Sequence, residues 1–241
     1  MSALGRTGAL IRKDLLSEIR GRDTLGPMLA FSFAVTLALA FTLPGGQGLA
    51  RPARLPADLS GLVSVGDVIA GFLWVTVLFA GLIGFARTFE VDREEGAVDA
   101  LLLAPVDRSA LFAAKAAANL VFVTLLEALL VPAFALLFSI PAGTSWGALV
   151  LVLLLADAGF AAIGTLFSSL SAQTRSSELI LPVLALPALV PVFIAAVELT
   201  ARIFLGFPAT AVAGTGWFVL LCAFDVIFLV VGALAFEYTL D

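Results

Sequence analysis

Histidine is absent from this chain of 241 residues, and cysteine and tyrosine occur once each. Without histidine there is no Ser–His or Cys–His nucleophilic pair and no histidine-held metal. The lone Cys222 excludes a disulfide or a metal–thiolate cluster within one chain. Charge is also scarce, at 13% of residues, about half the share found in soluble domains. No Gly-x-x-x-x-Gly-Lys-Ser/Thr phosphate loop occurs, so any ATP use has to take place on another chain. A net charge of -5 argues against a nucleic-acid partner. The first 25 residues are polar and helical in period and lack the apolar core of a cleaved signal peptide.

What the chain does have is apolar sequence: 61% hydrophobic residues and a mean hydropathy of +1.13. The apolar residues fall into runs of about 20, the length that crosses a hydrocarbon core ~30 Å thick. This predicts an all-α integral membrane protein, one domain over 1–241. Its six spans are Gly26–Leu43, Val65–Phe85, Leu111–Ser139, Trp146–Leu170, Leu179–Leu199 and Ala211–Phe236. The third, fourth and sixth are longer than the bilayer requires and are expected to tilt or project. Ten of the 13 basic residues then fall on one side: Arg6, Arg12, Lys13, Arg20, Arg22, Arg87, Arg93, Arg108, Lys115 and Arg175. Lys and Arg concentrate on the cytoplasmic side, so both termini are expected there.

Residues 3–22 place Leu4, Ile11, Leu15, Leu16 and Ile19 opposite Arg12, Lys13, Glu18 and Arg22. The pattern fits a helix lying in the cytoplasmic interface, or an amphipathic leader that happens to be basic. On the other side, Pro44 to Ser64 is turn-rich, and 201–210 is amphipathic enough to re-enter the outer interface.

The segment between spans two and three, 87–110, carries Glu90, Asp92, Glu94, Glu95, Asp99 and Asp107 against three arginines. Gly96 and Pro105 bound a two-turn stretch, Ala97–Ala104, with Asp99 near its start and Leu101 and Leu102 as an apolar face. A short helix with an acidic rim can dock in a groove on a soluble partner. By composition alone, a solvated loop whose leucines lie on the membrane fits equally well.

Within the spans, Glu127, Asp157 and Asp225 are the deepest ionisable residues, while Asp67, Lys115, Glu178 and Glu198 sit near span ends. Groups at such depth face the bundle interior, a cavity or one another. Two readings stay open for the three deep acids: structural groups bonded to neighbouring helices, or residues that line a substrate path or relay protons. Asn119 and Thr124 share a helix with Glu127 and are candidate partners for it. Pro182, Pro187 and Pro191 in span five each remove a backbone donor and are candidate hinges, or simply shape the packing.

Six spans, a basic in-plane helix and the motif Glu-x(5)-Gly-x-x-Asp-x-Leu-x-x-x-Pro, from Glu90 to Pro105, resemble the ABC-2 class of exporter permeases. Three features bring the chain nearest to the haem exporter B (CcmB) family within that class. They are Leu73-Trp74-Val75 ahead of Phe89, Asp92, Gly96, Asp99, Leu101 and Pro105; Leu111-x-x-x-Lys115; and Leu184-Ala-Leu-Pro187-Ala-Leu-Val-Pro191-Val with the preceding Arg175. The resemblance implies a permease homodimer driven by a cytoplasmic ATPase subunit (CcmA-like), which holds ATP and Mg. It also implies a haem-handling membrane subunit (CcmC-like), a small accessory subunit (CcmD-like) and a bacterial inner-membrane location. In that reading Glu90, Asp92, Glu94, Glu95, Gly96, Asp99, Leu101, Leu102 and Pro105 form the ATPase-coupling segment.

The chain itself is expected to bind no cofactor or metal. Axial haem ligands are His, Met, Cys or Tyr; Met1, Met28, Cys222 and Tyr238 are on offer here, and a lone residue of these types more often packs or anchors than ligates, so if the complex handles haem, the iron is expected on another subunit. Other readings are a permease for a lipid, drug or polysaccharide, an ATP-driven release of a haem-loaded chaperone with nothing crossing this chain, and a membrane-embedded enzyme. The last lacks a local motif of paired acids. A secondary transporter would use the same acids but leave the acidic loop without a purpose.

Overall fold

The computed structural model describes residues 24–42, 65–94, 108–140, 143–171 and 177–239, with isolated helical positions at 8, 11–13 and 16. Most of the in-plane segment 3–22, the turn-rich stretch 44–64 and residues 95–107 lie outside the described residues. The elements are α1 (Leu25–Thr42), α2 (Val65–Glu94), α3 (Arg108–Leu137), α4 (Trp146–Ser171), α5 (Ser177–Phe204), the short α6 (Ala209–Ala213) and α7 (Gly216–Thr239). All except α6 are long and apolar enough to cross a membrane. The described residues form helices joined by short turns, with no strand among them.

The spans match the sequence in number and place but differ at their ends. α2 runs through Glu94, well past the expected Phe85, and α3 begins at Arg108. Each has 30 residues, ~45 Å of helix at 1.5 Å per residue, against a core of ~30 Å. Overshoot is therefore greatest in spans two and three, the pair flanking the acidic motif. Glu90, Asp92 and Glu94 stand on the last turns of α2 rather than in a loop. α7 begins at Gly216, because the expected start of span six is taken up by α6.

The far end, opposite the acidic motif, closes α3 and α5 with the same device. Ser139 (φ 52°) and Gly206 (φ 86°) adopt left-handed backbone. Beyond them Ile140 N–H donates to Ala135 O at 3.1 Å, and Phe207 N–H to Arg202 O at 3.1 Å. These are the six-to-one bonds of a Schellman stop, which satisfy carbonyls the helix leaves open.

α4 is the centre of the bundle, touching α2, α3, α5 and α7. In its apolar stretch 72% of residues are buried, against 22% in α1 and 17% in α7. Lipid is as apolar as leucine, so close backbone approach, not water exclusion, holds such helices together. The α2–α4 contact is built that way in both directions. The Phe85 ring of α2 fills the notch at Gly164 of α4, and the Phe160 ring of α4 fills the notch at Gly81 of α2. The two rings lie 4.7 Å apart. From Phe160 the aromatic chain continues to Phe193 of α5 at 5.1 Å and on to Trp74 of α2 at 5.6 Å. There the indole Nε1–H donates to Thr200 Oγ1 at 2.9 Å. Trp74 of the Leu73-Trp74-Val75 motif is thus an anchor between α2 and α5, while Val75 is exposed.

Pro182, Pro187 and Pro191 all lie inside α5, which remains one continuous helix from Ser177 to Phe204. Pro187 is exposed and the other two are half-buried. α3 likewise carries Pro132 within its length.

Candidate functional site

Two polar sites bridge α3 and α4 in the interior. The first lies near the ends that bear the acidic motif. Asn119 of α3 donates through Nδ2 to Thr165 Oγ1 of α4 at 2.8 Å and accepts at Oδ1 from Thr88 Oγ1 of α2 at 3.0 Å. The Thr88 hydroxyl also faces Gly84 O on its own helix at 3.0 Å, so its one proton is divided between two acceptors. Asn119 and Thr165 are 0% exposed and Thr88 is 7% exposed.

The second site lies eight residues farther along both helices, in the same antiparallel register. The carboxyl groups of Glu127 and Asp157 are within hydrogen-bonding reach of each other. Thr124 Oγ1, one turn from Glu127, is 3.3 Å from Asp157 Oδ2 and donates to Leu120 O at 2.8 Å. Glu127 is 3% and Asp157 0% exposed. Glu127 Oε1 and Asp157 Oδ1 have no hydrogen-bond partner among the described residues. Two carboxyl oxygens can bond only through a proton between them, an arrangement that serves a structural contact between the helices as well as a proton relay.

Asp225 does not join them. It packs from α7 against Gly159 of α4, where a Cβ would stand 2.5 Å from Asp225 Oδ1. The Gly159 backbone N–H is the nearest donor to this carboxyl, and neither oxygen makes a hydrogen bond of full geometry among the described residues. Residues two apart on a helix lie about 200° apart around its axis. Asp157 and Gly159 therefore address opposite sides of α4, and the three deep acids form a pair and a singleton rather than one row.

The remaining residues singled out in the sequence are placed as follows. Asn119 turns to Thr88 and Thr165, and Thr124 to Asp157, so neither candidate partner bonds Glu127. Lys115 is buried on α3. Glu198 pairs with Arg202 one turn on, with Arg202 Nη2 donating at 2.7 Å to Oε1. Met28 is fully buried, its thioether packed into the notch at Gly84 of α2, and Cys222 is half-buried on α7. Glu95, Gly96, Asp99, Leu101, Leu102 and Pro105 lie outside the described residues.

The family described as CcmB protein matches residues 6–241. The chain belongs to the CcmB family. Heme exporter protein B of Rhodobacter capsulatus is 33% identical over 196 residues, covering 80% of this chain and 82% of the relative. Heme exporter protein B of Paracoccus denitrificans is 31% identical over 195 residues, with the same two coverages. That of Haemophilus influenzae is 29% identical over 188 residues, covering 77% of this chain and 76% of the relative. The chain is thus a multi-pass helical membrane protein of the CcmB family, similar to proteins named for haem export.

Thr88 and Thr165 were not legible as site residues. Threonine is common in membrane helices, where its hydroxyl bonds a carbonyl of its own helix, as Thr36 and Thr76 do here. The available signal was Asn119, the single asparagine of the chain, since an amide inside an apolar helix calls for an interhelical partner.

Proposed function

We propose that this chain is the membrane-spanning, non-catalytic permease subunit of an ATP-driven transporter complex that serves haem export in cytochrome c maturation. One observation carries the reading. The acidic motif lies between the two longest helices, each about 45 Å against a core of ~30 Å, so both have length to spare for presenting it to a soluble ATPase. The relatives' names supply the cargo class, and the missing phosphate loop assigns nucleotide to a partner. Glu90 to Pro105 is the coupling segment, and Ala97–Ala104 the part that docks.

In this reading both termini and the coupling segment are cytoplasmic, in the bacterial inner membrane. The permease is a homodimer on two ATPase subunits, with a haem-handling membrane subunit and a small accessory subunit alongside. Haem iron is held by a partner, since this chain has no histidine and Met28 is committed to packing. ATP-driven closure at the coupling segment is relayed into α2 and α3 and alternates the conformation of the bundle. Reconstituted vesicles separate the two outcomes of that stroke, movement of haem across the membrane or release of a haem-loaded chaperone.

Co-purification with the ATPase subunit tests the reading. Wild type is expected to carry the ATPase through the column. Gly96→Pro and the double change Leu101→Asp, Leu102→Asp are expected to lose it while the spans stay folded. Equal recovery in all three forms would refute the coupling segment.

A further inference from the structure

We propose that Thr88, Asn119 and Thr165 form a positioning clamp that ties both helices bearing the acidic motif to the central helix α4 and passes their movement to it. The inference rests on the coupling reading above and names the route by which the stroke enters the bundle.

Position is the first argument. Thr88 lies six residues before the end of α2 at Glu94, Asn119 eleven residues after the start of α3 at Arg108, and Thr165 six residues before the end of α4 at Ser171. At 1.5 Å per residue these are depths of about 9, 17 and 9 Å. The three residues thus gather α2, α3 and α4 close to where the helices reach the acidic motif.

Chemistry is the second. An asparagine side chain offers an acceptor and a donor at once, and Asn119 directs one to each neighbouring helix. Separation of α2 or α3 from α4 at this level would strand amide or hydroxyl groups in a dry interior, a cost that keeps the helix ends together. All three groups are neutral, so the clamp needs no proton or counter-ion to stay closed.

The third argument is what α4 touches. Through α4 a displacement at the clamp reaches α5 and α7, and through the interlocked Phe85 and Phe160 rings it is opposed by close packing. A bolt at the loop end combined with notch packing deeper in the bundle lets α2, α3 and α4 move as one body.

The test uses the permease–ATPase complex reconstituted in vesicles. It carries Cys222→Ser and an environment-sensitive fluorophore on Gly147→Cys, an exposed position in the first turn of α4 at the far end with open space around it. With the clamp intact, ATP is expected to shift the fluorophore's emission. Asn119→Leu and Thr165→Val are expected to keep the ATPase bound and hydrolysing ATP but to lose that shift, whereas Thr88→Ser and Thr165→Ser retain it. Should Asn119→Leu fail to assemble, Thr88→Val, which cuts only the α2 arm, carries the same expectation. Variants that bind the ATPase and give the full wild-type shift would overturn the clamp and leave the coupling reading intact. A wild-type complex that never binds the ATPase would overturn both.

Discussion

At the loop end of the α3–α4 interface Asn119 closes a neutral contact to Thr88 and Thr165. Eight residues farther on, the same two helices meet through Glu127 and Asp157, and each acid keeps an oxygen without a partner. Burial is equal at the two levels, so the difference lies in satisfaction. An amide between hydroxyls can complete its bonds with what the neighbouring helices supply; the two carboxyls here share at most one proton between them, and an oxygen of each then lacks a donor. The first arrangement is a closed joint, and the second leaves acceptors open.

The contrast can be broken or sharpened by substitution, read as stability of the purified protein in detergent. Gly164→Leu should have the largest effect, because its side chain would occupy the space of the Phe85 ring and push α2 off α4. A loss of about 3 kcal/mol is expected from overpacking of this kind. Glu127→Leu should come next, with a loss of about 2 kcal/mol, since it leaves Asp157 buried with only Thr124 beside it. The double change Glu127→Gln, Asp157→Asn restores donors to the site and should return most of that stability. If the double change is as damaging as the single one, the acid pair is not a simple hydrogen-bonded contact.

Asn119→Leu follows at about 1–2 kcal/mol, the scale of two interhelical hydrogen bonds in a membrane protein. Asp225→Val should be smallest, changing stability by less than about 1 kcal/mol in either direction, because at most a weak contact with the Gly159 backbone is lost and a buried carboxyl is removed. A large loss at Asp225 would mean that its contact with Gly159 holds α7 to α4.

Much of the architecture was legible because hydropathy reports burial in lipid directly: six spans and their order follow from apolar length alone. The helix ends were not, since α2 continues through Glu90, Asp92 and Glu94 with a backbone that has no need of an apolar environment. Pro182, Pro187 and Pro191 stood out in sequence as missing donors, and all three lie within the length of α5. For the site, depth singled out Glu127, Asp157 and Asp225, but depth says nothing of direction. The spacing of Asp157 and Gly159 sets two faces of α4, and only packing reveals that Glu127 takes one and Asp225 the other. Thr88 and Thr165 were hidden for a simpler reason, that a threonine satisfied by its own helix and one bonded across an interface look alike in sequence.

The central claim is that the segment after α2 meets an ATPase, and a single thiol tests it most directly. Because Cys222 is the only cysteine, Cys222→Ser with Leu101→Cys carries one reactive thiol, placed in the acidic segment. Short-linker cross-linking in membranes that contain the ATPase subunit should give a permease–ATPase adduct that Gly147→Cys, at the far end of α4, does not give. Adducts from Gly147→Cys alone, or equal adducts from both positions, would contradict the account.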